Sequence, residues 1–172
     1  NYQSYYLGTV VLSMNTETSK NSIIDGQQRM TSITLFLIYL NHLQRKFDEE
    51  NKVPISDLIF SVSRREKSFN MTDENRTECL KALFERGEYI CKETDDETVI
   101  NMVERYTDIV NSFPDELTDE KILLFFIDWF IENVIIVEIT TYSDENAYTI
   151  FETMNDRGLP LSDIDKVKNY LI

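Results

Sequence analysis

Residues 23–31 read Ile-Ile-Asp-Gly-Gln-Gln-Arg-Met-Thr. Two β-branched apolar residues run into an Asp-Gly pair, which is a turn signal. Directly beyond it, Ile33, Phe36, Leu37, Leu40 and Leu43 recur at helical spacing, and Leu35 and Ile38 widen the apolar face. A short strand, Ser22–Ile24, must therefore pass into a helix within two residues. That helix is expected from Gln27 to about Lys46, at the centre of the core.

The rest of the chain supplies partners for this junction. Tyr5 to Ser13 is rich in Tyr, Thr and Val and reads as a strand. Asn15 to Asn21 is polar and aperiodic, hence a loop. From Phe47 to Pro114 apolar residues are sparse but periodic, as in Leu80, Leu83 and Phe84, or Ile100, Val103, Tyr106, Ile109 and Val110. Amphipathic helices are expected there, with short strands open between Leu58 and Met71. Thr118 is the expected N-cap of a helix reaching about Ile131, with Asp119 and Glu120 at its positive end. Val134 to Thr140 is β-branched almost throughout and reads as a buried strand. Ser143 caps a helix whose stripe is Ala147, Ile150, Phe151 and Met154. Gly158 suits the left-handed position that ends it, and Ser162 to Asp165 starts a last helix. The pattern is α+β, with a small sheet and a largely helical insertion.

Charge narrows the function classes. The chain of 172 residues carries 17 basic and 31 acidic side chains, formally −14. Neutralising phosphates takes Lys and Arg, so a broad DNA or RNA surface is disfavoured. Residues 48–121 hold 20 acidic and 10 basic residues, so the flanks are the better place for an anion. Cys79 and Cys91 fit no common zinc spacing, and there is one His. A reducing, cytoplasmic setting is the default. The apolar stretch Ile122 to Ile139 is broken by Asp128, Glu132 and Glu138, so no membrane span is expected. The chain begins without Met and ends on Lys168-Asn169-Tyr170-Leu171-Ile172; a fragment of a longer protein is expected.

Two places could carry chemistry. At the Asp25-Gly26 turn the free N–H groups of the helix start can hold an anion. Gly26 permits close approach of the backbone, Arg29 offers a fork of donors, and Gln27 and Gln28 can donate to a phosphate or read a polar edge. Asp25 could hold a divalent cation bridging to phosphates, or orient a water. The same residues also read as an ordinary turn with a capping Asp25 and a salt-bridged Arg29. The second place is Phe151-Glu152-Thr153-Met154-Asn155-Asp156-Arg157-Gly158-Leu159-Pro160-Leu161-Ser162, where Asn155 and Arg157 sit near the end of one helix and Ser162 at the start of another, and could offer a second anion or ribose contact. There, helix termination is the simpler account. Lys166 and Lys168 read as solvated, His42 as a surface or packed histidine, Trp129 as core, and Asp95-Asp96-Glu97 as a solvated helix start. No Walker A loop, Rossmann fingerprint, Gly-x-Ser-x-Gly elbow or His-Glu-x-x-His pattern occurs.

Taken in order, Tyr6-Leu7-Gly8-Thr9-Val10-Val11-Leu12, Ile24-Asp25-Gly26-Gln27-Gln28-Arg29-Met30-Thr31, the Phe151–Ser162 run and Asp165-Lys166-Val167-Lys168-Asn169 resemble the N-terminal domain of the GmrSD-type restriction endonucleases. That domain is similar to the ParB/sulfiredoxin fold. The resemblance implies a nucleotide-binding core at residues 1–46 and 115–172 with an acidic helical insertion at 47–114. It implies binding and hydrolysis of a nucleoside triphosphate with Mg²⁺, controlling DNA cleavage in phage defence. Cleavage would belong to a separate C-terminal His-Asn-His nuclease domain, so DNA would be met only indirectly. By the same resemblance Asp25, Gly26, Gln27, Gln28 and Arg29 form the nucleotide site. Residue type and placement give the catalytic roles: Asp25 would bind Mg²⁺ or position water, and Arg29 would neutralise charge in the transition state. Asn155, Arg157 and Gly158 would line the same cleft. A sensing module without hydrolysis, a ParB-like nuclease and a purely structural domain are the competing readings, and self-association is left open.

Overall fold

A computed structural model describes residues 4–15, 20–63, 66–69 and 74–155. Among them the elements are strands β1 (Tyr5–Asn15), β2 (Lys20–Asp25), β3 (Phe60–Ser63), β4 (Glu66–Phe69) and β5 (Val134–Thr141). The helices are α1 (Gln27–Leu43), α2 (Ser56–Ile59), α3 (Glu74–Arg86), α4 (Glu97–Ser112), α5 (Glu120–Asn133) and α6 (Asp144–Asn155). The mixed α+β class is as expected. No helix among the described residues is long and apolar enough to cross a membrane.

The chain divides into two compact units. One comprises Tyr5–Gln27 and Ile135–Ile172. It holds a three-stranded sheet in the order β2-β1-β5, with β1 and β2 antiparallel. Helix α6 packs against β1 and β2. Val10, Val11 and Ala147 are buried, and the Ser13 hydroxyl donates to Asp144 Oδ1 at the start of α6. Thr141 Oγ donates to the Leu12 carbonyl at 3.3 Å and to the Ser143 carbonyl at 3.0 Å, joining β5 to β1 and to the turn before α6.

The other unit comprises Asn1–Ser4 and Gln28–Val134. Helix α1 runs through its core. Leu35, Leu37 and Ile38 pack with Ile59, Cys79, Leu83, Val99 and Met102. Leu40 packs with Phe47, Ile55, Leu123 and Ile127. Residues of one helix thus serve two apolar clusters, which is why its apolar residues spread beyond one stripe. Aromatic rings tighten both clusters. Phe36 meets Phe130 at 5.1 Å between centroids and Tyr39 meets Phe113 at 5.3 Å, both edge-on.

The structure sharpens several expectations. The α-helix from Gln27 ends at Leu43, and a 3₁₀ turn carries Gln44–Lys46. At the ends of the expected Asn15–Asn21 loop, β1 continues to Asn15 and β2 begins at Lys20; residues 16–19 lie outside the described residues. The segment left open near 58–71 contains the β3–β4 hairpin. Thr118 is not the cap of α5: it closes a 3₁₀ turn, and Asp119 caps the helix, accepting from Lys121 N at 3.1 Å and Ile122 N at 3.4 Å. Strand β5 is not fully buried. Ile135 is 43% and Val137 44% exposed, two residues apart on one face of the strand. Ser143 caps α6 as expected, its Oγ accepting from Asn146 N at 3.1 Å. Asp96 caps α4 from within the acidic run, accepting from Val99 N at 3.0 Å.

Candidate functional site

The β1–β2 ladder pairs Leu12 with Ile23 but Val11 with Asp25. Ile24 is therefore one residue too many on β2, a bulge. Such an insertion bends the strand and re-aims the residues beyond it. The next residue is Asp25, the last of β2, opposite the fully buried Val11. Gly26 then turns the chain with φ +93°, in a region that a side chain disfavours. The first residue of α1 is Gln27. One glycine thus converts a bulged strand end into a helix start.

The opening of α1 differs from those of α4, α5 and α6. Helix α4 begins with a capping Asp96 and Glu97, α5 with a capping Asp119 and Glu120, and α6 with Asp144 and Glu145. Each of those positive helix ends meets carboxylates of its own. The first turn of α1 carries no acidic residue; it reads Gln27, Gln28, Arg29. Gln27 and Gln28 are exposed, while Asp25, Gly26 and Arg29 are half-buried. The Gln27 side-chain amide donates to the Ile23 carbonyl at 2.8 Å, and Arg29 is engaged by neighbours.

Asp25, Gly26 and Gln27 belong to the sheet unit, as does Asn155; Gln28 and Arg29 open the helical unit. Asn155 is the last residue of α6, the helix that packs against β2. Arg157 and Gly158 lie outside the described residues, as do Ser162, Lys166, Lys168 and the last expected helix.

Other chemistries find little support among the described residues. No group of three His, Cys, Asp or Glu side chains is placed to hold a metal ion. Cys79 is buried, and its thiol is pushed up to about 12, chiefly by burial and then by the neighbouring Cys91 and Asp95 charges. It is no thiolate nucleophile near neutrality. His42, read as a surface or packed histidine, is packed: its Nε2–H donates to the Phe84 carbonyl at 2.6 Å. Arg45 joins it, donating to the Glu85 carbonyl at 2.8 Å and to the Phe84 carbonyl. The two side chains thereby satisfy the carboxyl end of α3. Gly87, with φ +76°, lies just past that helix, and a Cβ there would stand 3.2 Å from the His42 ring. Trp129 is half-buried and stacks on Phe126.

Sequence reasoning missed Gln44. It is 2% exposed, and its side-chain amide bonds both backbone groups of Val53: Nε2 to the carbonyl at 2.8 Å, Oε1 from the N–H at 3.0 Å. The signal was its place four residues after Leu40, on the apolar face, where a polar side chain needs a partner.

No curated protein matches the chain. The profile of the family described as "GmrSD restriction endonuclease, N-terminal domain" matches residues 1–172. The match covers the whole chain and places it in a restriction and defence setting: the chain belongs to the GmrSD restriction endonuclease N-terminal domain family.

Proposed function

We propose that the β2–α1 turn binds the phosphates of a nucleoside triphosphate with Mg²⁺, and that hydrolysis there controls DNA cleavage carried out by a separate nuclease domain. The observation that carries this reading is the helix start after Gly26. It alone among the starts of α1, α4, α5 and α6 brings no carboxylate into its first turn. The backbone N–H groups of a helix start, together with the helix dipole, favour a negative ligand. Family membership supports the setting, a restriction system.

The donor set fits the ligand. Mg²⁺ is held in nucleotide sites by one or two carboxylates together with substrate phosphates. Asp25, at the end of β2, is one such carboxylate, and the described residues offer no protein-only metal cluster. The ion supplies charge neutralisation on the phosphates when bound. Arg29 adds a fixed cation for charge that grows during phosphoryl transfer. Asn155, Arg157 and Gly158 complete the site in this reading, on or beyond the helix that packs against β2.

Calorimetric titration with ATP, GTP and CTP plus Mg²⁺ tests the proposal. At least one should bind saturably. Arg29→Ala should weaken it by about tenfold or more, as expected for a charge-assisted bond to phosphate. Equal affinity in the variant overturns the assignment of Arg29. Phosphate release by the wild-type chain, lost in Asp25→Asn, is the expected sign of hydrolysis. Binding without release would instead identify a sensing module.

A further inference from the structure

Resting on that reading of the turn, we propose that Gln27 is a positioning residue rather than a ligand contact, and that the two adjacent glutamines divide the work. Gln27 holds the turn, and Gln28 faces the nucleotide.

The geometry separates them. The Gln27 amide donates to the Ile23 carbonyl, four residues back, at 2.8 Å. Other side chains of α1 reach the same distance back along the chain: Ser32 Oγ to the Gln28 carbonyl and Thr34 Oγ to the Met30 carbonyl, each at 2.9 Å. Those two bonds stay within the helix. The Gln27 bond leaves it and lands on β2, so it closes a ring over Ile24, Asp25 and Gly26. Of those three, Asp25 pairs with Val11 in the ladder, while Ile24 and Gly26 are held less firmly. Ile24 is the unpaired residue of the bulge, and a bulge interrupts the ladder locally. Gly26 has the widest conformational freedom of any residue type. A strap across them holds the backbone of the turn. That bond turns the Gln27 side chain back toward the strand rather than outward along the helix start. Gln28 sits one residue further on, exposed, with its backbone carbonyl committed to Ser32 by a bond that leaves the side-chain amide out.

The test uses the full chain, isotope-labelled for NMR, with Gln27→Met and Gln28→Met as uncharged, unbranched helix formers that lack the amide donor. In the free protein, Gln27→Met should shift the backbone signals of Ile24 to Gln28, while Gln28→Met leaves Ile24 and Gly26 in place. Saturation with whichever Mg²⁺–nucleotide titrates should move the Gln28 side-chain amide signal and leave that of Gln27 unchanged. Gln27→Met should bind the nucleotide about fivefold more weakly, the worth of one ordinary hydrogen bond. Unmoved turn signals in Gln27→Met, or a Gln27 amide signal that tracks the nucleotide, would overturn the proposal. Should none of the nucleotides bind wild-type protein, the nucleotide reading fails, and the strap is judged on the free-protein signals alone.

Discussion

His42 shows how a single side chain ties chemistry to stability in this protein. Its Nε2–H caps the Phe84 carbonyl, and burial, the largest influence on it, lowers its pKa below the ordinary histidine value. Folding therefore disfavours the protonated ring. Above the unfolded value, near 6.5, both states are neutral and the full stability is present. As pH falls through that value toward the lower folded pKa, the unfolded chain takes up the proton first and stability is lost. The urea midpoint should be lower at pH 5.5 than at pH 7.5, with the difference reduced in His42→Gln. An equal drop in that variant would assign the effect to carboxylates. Tyr106, close to the same corner, stays neutral throughout, its hydroxyl pushed up to about 12 mainly by burial.

At the scale of elements, the caps are the most testable features. Asp96→Ala removes the acceptor for Val99 N at the head of α4 and should cost about 1 kcal/mol of unfolding free energy. Denaturant titration would check it, and a neutral result would show that the helix is held by Val99, Met102 and Tyr106 alone. The elements also show how much was legible in the sequence. Periodicity marked α1 and the Asp-Gly pair marked its start, because both are written in neighbouring residues. The cap of α5 was misplaced by one residue, since Thr118 and Asp119 are both good caps and only the preceding 3₁₀ turn decides between them. The β-branched composition of β5 reports strand preference but not whether a face is covered, and Ile135 and Val137, two residues apart, stay exposed. The Ile24 bulge was invisible for a related reason. It is a relation between two strands, and neither strand spells it alone. Around the candidate site, the strand end, the turn and the helix start were legible from local signals, while the strap from Gln27 to Ile23 is a bond across the turn that no local signal spells.

For the molecule as a whole, charge is the governing quantity. A formal −14 on 172 residues leaves little capacity to neutralise phosphate backbones. The isolated chain should not retard duplex DNA in a gel at physiological salt. A salt-sensitive shift would show a basic surface that the charge count conceals. The partition of the chain carries a different consequence, one of timing. The sheet unit is assembled from Tyr5–Gln27 and from Ile135 onward, with Gln28–Val134 in between. On a ribosome, β1 and β2 emerge early, but β5 and α6 come only after all of that intervening chain. Synthesis proceeds at roughly 5–20 residues per second, so the unit that carries Asp25 and Gly26 waits several seconds for its last strand. The helical unit, nearly continuous in sequence, has no such wait. Asp25 and Gly26 thus belong to the unit whose last strand is made only after the helical unit is complete.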